Sequence, residues 1–164
     1  MTDNSSSIIS LRPAETRDVG IILGFIKELA DYERLSHEVV ATEAMLQRHL
    51  FGERPVAESI IAEYNGAPAG FALFFYSFST FLGKPGLYLE DLYVSPELRG
   101  NGIGKALLRH LAALALERDC GRVEWAVLDW NDPAIQFYQG IGAAPLAEWN
   151  TYRLAGSALR DFAK

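Results

Sequence analysis

The chain has 164 residues, 49% of them hydrophobic and 22% charged, with a net charge of −6 and a pI near 5.1. This is enough apolar material for one domain with a substantial core, and the acidic balance argues against non-specific nucleic-acid binding, which needs a basic face to neutralise phosphates. A cationic ligand suits it better, and no membrane partner is expected, because the longest apolar run, 70–78, is far short of the ~20 residues that cross a bilayer.

Residues 1–7, MTDNSSS, have neither a basic start nor an apolar core, so they read as a disordered tail rather than a signal peptide, with 8–164 as a single domain. Cys120 is the only cysteine, which rules out an internal disulfide or a cysteine-based zinc cluster and fits the reducing cytoplasm. Ile8 to Leu11 predict a short edge strand ended by Arg12 and Pro13. Thr16 is placed to cap a helix with Asp18 in its first turn, and Val19, Ile22, Leu23, Ile26, Leu29 and Ala30 mark that helix's buried face. A second helix is predicted from Thr42 to Leu50, stopped by Gly52 and Pro55.

Ser59 to Tyr64 and Gly70 to Phe78 read as two strands of a hairpin, with Asn65-Gly66 as the turn signal. Gly83, Pro85 and Gly86 break the chain before another strand, LYLEDLYV. A helix follows to about Arg118, with Ile103, Ala106, Leu107, Leu111 and Leu114 as its core stripe. A strand, RVEWAVL, and a short helix opened by Asp132 and Pro133 and ended by Gly140 and Gly142 come next, and APLAEWNTYRL supplies one or two closing strands. The order predicts an α/β (α+β) fold with a mixed sheet and helices on both faces. LYLEDLYV and RVEWAVL are parallel because a helical crossover joins them.

The stretch RGNGIGKALL sets Gly100, Gly102 and Gly104 at the head of the long helix, although glycine costs about 1 kcal/mol against alanine inside one. A P-loop needs four residues between its glycines and Lys followed by Ser or Thr, and a dinucleotide fingerprint needs glycine at 105. Both fail on spacing. Two readings stay open: a tight strand-to-helix turn, or backbone N–H groups at a helix start presented to an anion such as a pyrophosphate.

Arg99, Gly100, Asn101, Gly102, Ile103 and Gly104 match the Arg/Gln-x-x-Gly-x-Gly/Ala signature, and the chain resembles the GNAT superfamily of acetyl-CoA-dependent N-acetyltransferases from Arg12 to about Arg153. Within it, IKELADYE, TEAMLQRHLFGERP, GKPGLYLEDLYV and LDWNDPAIQFY resemble the diamine (spermidine/spermine) acetyltransferases. The resemblance implies a mostly antiparallel central sheet in which two parallel central strands splay. Acetyl-CoA would lie in that opening, on the backbone of Leu92, Tyr93 and Val94 and on the amides from Gly100 to Lys105, with charge added by Arg99 and Lys105. Asn131, Pro133 and Ala134 fall where the family's helix start meets the coenzyme. It also implies a homodimer and a small-molecule amine as substrate.

Glu90 and Asp91 sit in an otherwise apolar strand. Alternation sends one carboxylate to each face, either for a functional role or into salt bridges. An ammonium with a pKa of about 10.4 must lose its proton before it can attack a thioester. By resemblance Glu90 is the base, acting through a water, and Tyr138 is the acid that protonates the departing sulfur. Asp91, Tyr32, Glu33 and Phe81 line the acceptor site, and an N–H near Leu92 meets the oxyanion. Phe81 stands where the animal enzymes have tryptophan, and the segment after Arg153 departs from theirs, so the acceptor is a diamine, a polyamine or a lysine-like amino acid. A non-catalytic acyl-CoA-binding module, or an enzyme acting on a peptide or protein amine, is the alternative. His37, His49 and His110 show no metal-ligand spacing and no metal is expected. Cys120 reads as a small apolar residue.

Overall fold

A computed structural model describes residues 8–164, and the expected tail, Met1–Ser7, lies outside the described residues. The chain divides into two compact units, one ending at Ala126 and the other running from Val127 to Lys164.

The first unit opens with β1 (Ile9–Pro13), whose last two residues are Arg12 and Pro13 and which pairs antiparallel with β2 (Glu58–Tyr64). Proline is tolerated here because β1 is an edge strand. A 3-10 turn, Thr16–Asp18, then leads into α1 (Val19–Tyr32). Asp18, not Thr16, ties off this entry. Its carboxylate accepts the Glu15 N–H at 2.8 Å and both Nη groups of Arg12 at 2.7 and 2.9 Å, while Arg12 Nε donates to Glu63 at 2.8 Å. Asp18 is 2% exposed, and Arg12 holds its carboxyl below the usual carboxylate range against the opposing effect of burial.

In α2 (Glu43–Phe51) the Thr42 hydroxyl caps the start by accepting Met45 N–H, as predicted. Asn65 and Gly66, with φ of 52° and 83°, form the hairpin turn to β3 (Ala67–Ser79), since both central residues of such a turn need positive φ. A second hairpin leads to β4 (Lys84–Val94), which takes Pro85 and Gly86 into the strand instead of breaking there. The long helix α3 (Ile103–Glu117) crosses over to β5 (Val123–Trp125), parallel to β4. The sheet order is β1-β2-β3-β4-β5.

One face of the sheet packs on α1 and α2 through Ile22, Phe25, Leu50, Ile61, Phe71 and Tyr93, with the Phe25 and Phe71 rings stacked 5.7 Å apart. Phe25 belongs to this core although the expected stripe passes it by. Truncating a ring buried as fully as Phe71 costs about 3–5 kcal/mol. On the other face α3 buries Ile103, Leu107 and Leu111, and a Cβ at Gly104 would touch Leu92 and Val94 at 3.8 and 3.9 Å.

The second unit contains α4 (Asp132–Gly140) and α5 (Gly156–Phe162). Pro133 stands in the first turn of α4, where a missing N–H costs no helical bond, and Gly142, at φ 91°, lies just past its end. The closing strands expected from APLAEWNTYRL are not formed: among the described residues this segment is turn and irregular chain leading to α5, which leaves β5 at the sheet's edge.

Candidate functional site

The centre of interest is a β-bulge. Along the β3–β4 ladder Leu73 faces Asp91 and Phe74 faces Leu89, so Glu90 is an extra residue with no partner of its own. Cross-strand partners share a face. Leu89 pairs with Phe74 and Leu87 with Tyr76, which leaves Tyr88 and Glu90 on the α1 side. Beyond the bulge, Asp91 with Leu73 and Tyr93 with Phe71 occupy that same side. The bulge therefore cancels the expected alternation and places both carboxylates on one face, where simple pleating would have sent them to opposite ones.

A third carboxylate joins them. Glu33 ends α1, where the helix dipole is negative. Burial pushes Asp91 up to about 6, and the neighbouring charges of Glu90 and Glu33 push in the same direction. Burial also raises Glu33. Arg12, Arg17, Lys84, Arg118, Arg122 and Lys164 are paired with other carboxylates. What the arrangement can do is attract and hold a cation.

The strand runs on from this patch to the glycine loop. The β4–β5 ladder ends at Leu89 and Trp125, so among the described residues Leu92, Tyr93 and Val94 have β3 on one side and no strand on the other. Gly100 and Gly102 adopt φ of 82° and 85°, and a Cβ at either would meet nothing within 4 Å. Their absence of side chain is a backbone requirement of the turn, since L-residues rarely enter this region. Gly102 is the N-cap of α3, and the first helical bond runs from Ala106 N–H to Gly102 O, so the N–H groups of Ile103, Gly104 and Lys105 precede the helical ladder. The Ile103 side chain is core, leaving only its backbone for a ligand, and the Lys105 side chain is exposed. Asn101 braces the loop, donating from Nδ2 to Leu98 O at 3.0 Å and accepting from the Tyr64 hydroxyl.

Arg99, expected to add charge for phosphates, makes contacts with both β4 and α1. Its Nε donates to Val94 O at 3.0 Å, and its guanidinium lies 4.9 Å from the Tyr32 ring centroid and 5.5 Å from that of Tyr93. Burial pushes the Tyr93 hydroxyl up, and the neighbouring Glu28, which the sequence did not single out, pushes it in the same direction. Phe81 is 96% exposed in the β3–β4 turn. Six residues of β4, Lys84 to Leu89, lie between that turn and Glu90, about 20 Å at strand rise, so within one chain the structure does not bring Phe81 to the carboxylates.

The second unit holds the remaining expected residues. Asn131 is the N-cap of α4, with its carbonyl accepting Ile135 N–H, and Pro133 and Ala134 fill the first turn. Tyr138 is half-buried on the same helix, its ring 5.7 Å from that of Phe137. Cys120 is buried, as expected of a small apolar residue. Among the described residues no helix is long and apolar enough to cross a membrane.

The model of the acetyltransferase (GNAT) family matches residues 25–143. The chain belongs to the GNAT acetyltransferases. It is 39% identical to a thialysine N-epsilon-acetyltransferase of Bos taurus, over 96% of this chain and 98% of that one. It is 33% identical to an L-ornithine N5-acetyltransferase of Arabidopsis thaliana, over 94% and 87%. A spermidine/spermine N(1)-acetyltransferase-like protein of Homo sapiens is 34% identical over 99% of this chain and 25% of its own length. Among solved structures, an integron cassette protein from the mobile metagenome of V. cholerae superposes with a TM-score of 0.79 at 30% identity, covering 95% of this chain and 98% of that one. The acetyltransferase fold and family expected from the glycine signature are thus established, and the protein is an enzyme.

Proposed function

We propose that this acetyltransferase moves acetyl from acetyl-CoA to a primary amine of a small cationic acceptor, a diamine, polyamine or lysine-like amino acid. The observation that carries this reading is the convergence of Glu33, Glu90 and Asp91 on one face through the β4 bulge. Like charges brought together raise one another's proton affinity, and a bound ammonium relieves that repulsion while receiving hydrogen bonds' worth of charge stabilisation from the carboxylates. The relatives support the choice, being named for thialysine, ornithine and spermidine/spermine, each with more than one amine.

In this reading the N–H groups at the start of α3, held clear by the turn at Gly100 and Gly102, grip the coenzyme's diphosphate with the open edge of β4 as a further contact, and Asn131, Pro133 and Ala134 keep the coenzyme role that the family resemblance implies. Asp91 and Glu33 hold the cationic acceptor beside Tyr32. Glu90, the exposed member of the trio, accepts the proton of the attacking ammonium through a water. The freed nitrogen adds to the acetyl carbonyl carbon, the oxyanion is met by an N–H near Leu92, and the C–S bond breaks as Tyr138 protonates the sulfur. Free coenzyme thiol and an N-acetylated amine are the products, with no acyl-enzyme. The two units form one transferase domain on this view, supported by the family match running across their boundary at Ala126. A cytoplasmic homodimer without metal, nucleic-acid or membrane partners completes the proposal.

A screen of primary amines with acetyl-CoA, reading thiol release, tests it. Diamines and lysine-like amino acids should be turned over well ahead of neutral amines of the same length. No release above spontaneous hydrolysis with any cationic amine, or a preference for neutral ones, removes the proposal.

A further inference from the structure

Arg99 stands in the glycine loop, yet its guanidinium reaches Tyr32, which lies on the acceptor side. Its Nε is committed to the carbonyl of Val94, the last residue of β4. Its guanidinium lies within cation–π range of both Tyr32, the last residue of α1, and Tyr93 on β4. Tyr93 packs in turn against α1, its ring 5.9 Å from that of Phe25. The residue after Tyr32 is Glu33, whose backbone N–H still bonds Leu29 O, so a shift of Tyr32 carries Glu33 with it. After Glu33 the chain turns sharply away through Arg34 at φ 62°.

From these contacts we infer that Arg99 is a positioning residue for acceptor binding: its planar guanidinium joins the end of β4 to the end of α1 and so sets Glu33 against Glu90 and Asp91. A point charge serving the coenzyme phosphates would need neither the Val94 bond nor the stacking on Tyr32. Lysine cannot replace arginine in the linking role, because an ammonium has no Nε–H at that position of the side chain and no flat face to lie on a ring. The inference rests on the acetyl-transfer reading for its amine kinetics and is independent of it for coenzyme binding.

The test uses the full chain as Arg99→Ala, Arg99→Lys, Tyr32→Ala and the Arg99→Ala/Tyr32→Ala double variant. Coenzyme A affinity is read by calorimetry, and KM by thiol release with spermidine and with thialysine. Arg99→Ala, Arg99→Lys and Tyr32→Ala should each raise the amine KM roughly three- to tenfold, in keeping with the loss of a cation–π contact. The double variant should be no worse than either single one, since both remove the same link. Coenzyme affinity should stay within about twofold throughout, as expected when no phosphate contact is lost. Coenzyme binding that is weakened in Arg99→Ala and restored in Arg99→Lys would overturn the inference in favour of a phosphate contact, as would KM effects that multiply in the double variant. If no amine is turned over by any form, the functional proposal fails, and the calorimetric comparison still decides between the two roles of Arg99.

Discussion

Consider Asp91→Asn, which keeps the side chain's shape and removes its charge. Burial and the charges of Glu90 and Glu33 lift Asp91 from 3.8 to about 6 in the folded protein. Each pH unit of that displacement is worth about 1.36 kcal/mol, so keeping Asp91 ionised in the folded state costs about 3 kcal/mol. Because the folded value lies above the unfolded one, the stability associated with this group is full below about pH 3.8 and is lost as pH rises through about 6. At pH 7.5 the asparagine variant should therefore be more stable than the parent, by up to about 3 kcal/mol, or about 6–12 °C in Tm for a chain of this length. Toward pH 4 the difference should close. The assay is thermal and urea denaturation of both proteins across that pH range, with amine KM measured alongside, which should rise in the variant. A variant less stable at pH 7.5, or a stability difference that does not change with pH, would refute the account of Asp91 as a carboxylate held at a cost for binding a cation.

Further outcomes follow from the same structure. Tyr138→Phe should bind coenzyme A normally in calorimetry while turnover of the best amine falls by about 10²-fold or more, the scale of general acid catalysis; equal turnover removes Tyr138 as the acid. Glu90→Gln should lose most activity at lower pH, where neutral amine is scarcest, and an unchanged pH–rate profile counts against Glu90 as the base. Gly102→Ala places a side chain at φ 85° and should cost about 1–2 kcal/mol in urea denaturation even though its Cβ has open space, whereas Gly104→Ala, with ordinary contacts at 3.8 Å, should cost nothing measurable. Arg12→Met leaves Asp18 buried without its bidentate partner and should destabilise by about 3–5 kcal/mol at neutral pH, with much of the loss recovered by adding Asp18→Asn.

Local signals were enough where the deciding interaction is local. The Asn65-Gly66 turn, the Thr42 cap, the apolar stripes of α1 and α3 and the glycine signature before α3 were all legible, because each is set by the conformational needs of a few adjacent residues. Where partners are distant, reading along the chain failed. Thr16 looked like a cap, but Arg12 reaches Asp18 from a neighbouring strand and gives that carboxylate the role. APLAEWNTYRL has strand composition, yet its residues pair with no strand among those described, and β propensity expresses packing against neighbours more than any preference of the backbone itself.

The site divides in the same way. That Glu90 and Asp91 lie in an apolar strand beside a glycine-led helix was plain from residue order, and so was the family. That the two carboxylates share a face, that Glu33 joins them from α1, and that Arg99 turns from the loop toward Tyr32 were decided only when β4 met β3 and α1 in three dimensions. One unpaired residue in the β3–β4 register reverses the direction of every side chain beyond it, and register is a property of two strands together that neither one's sequence contains.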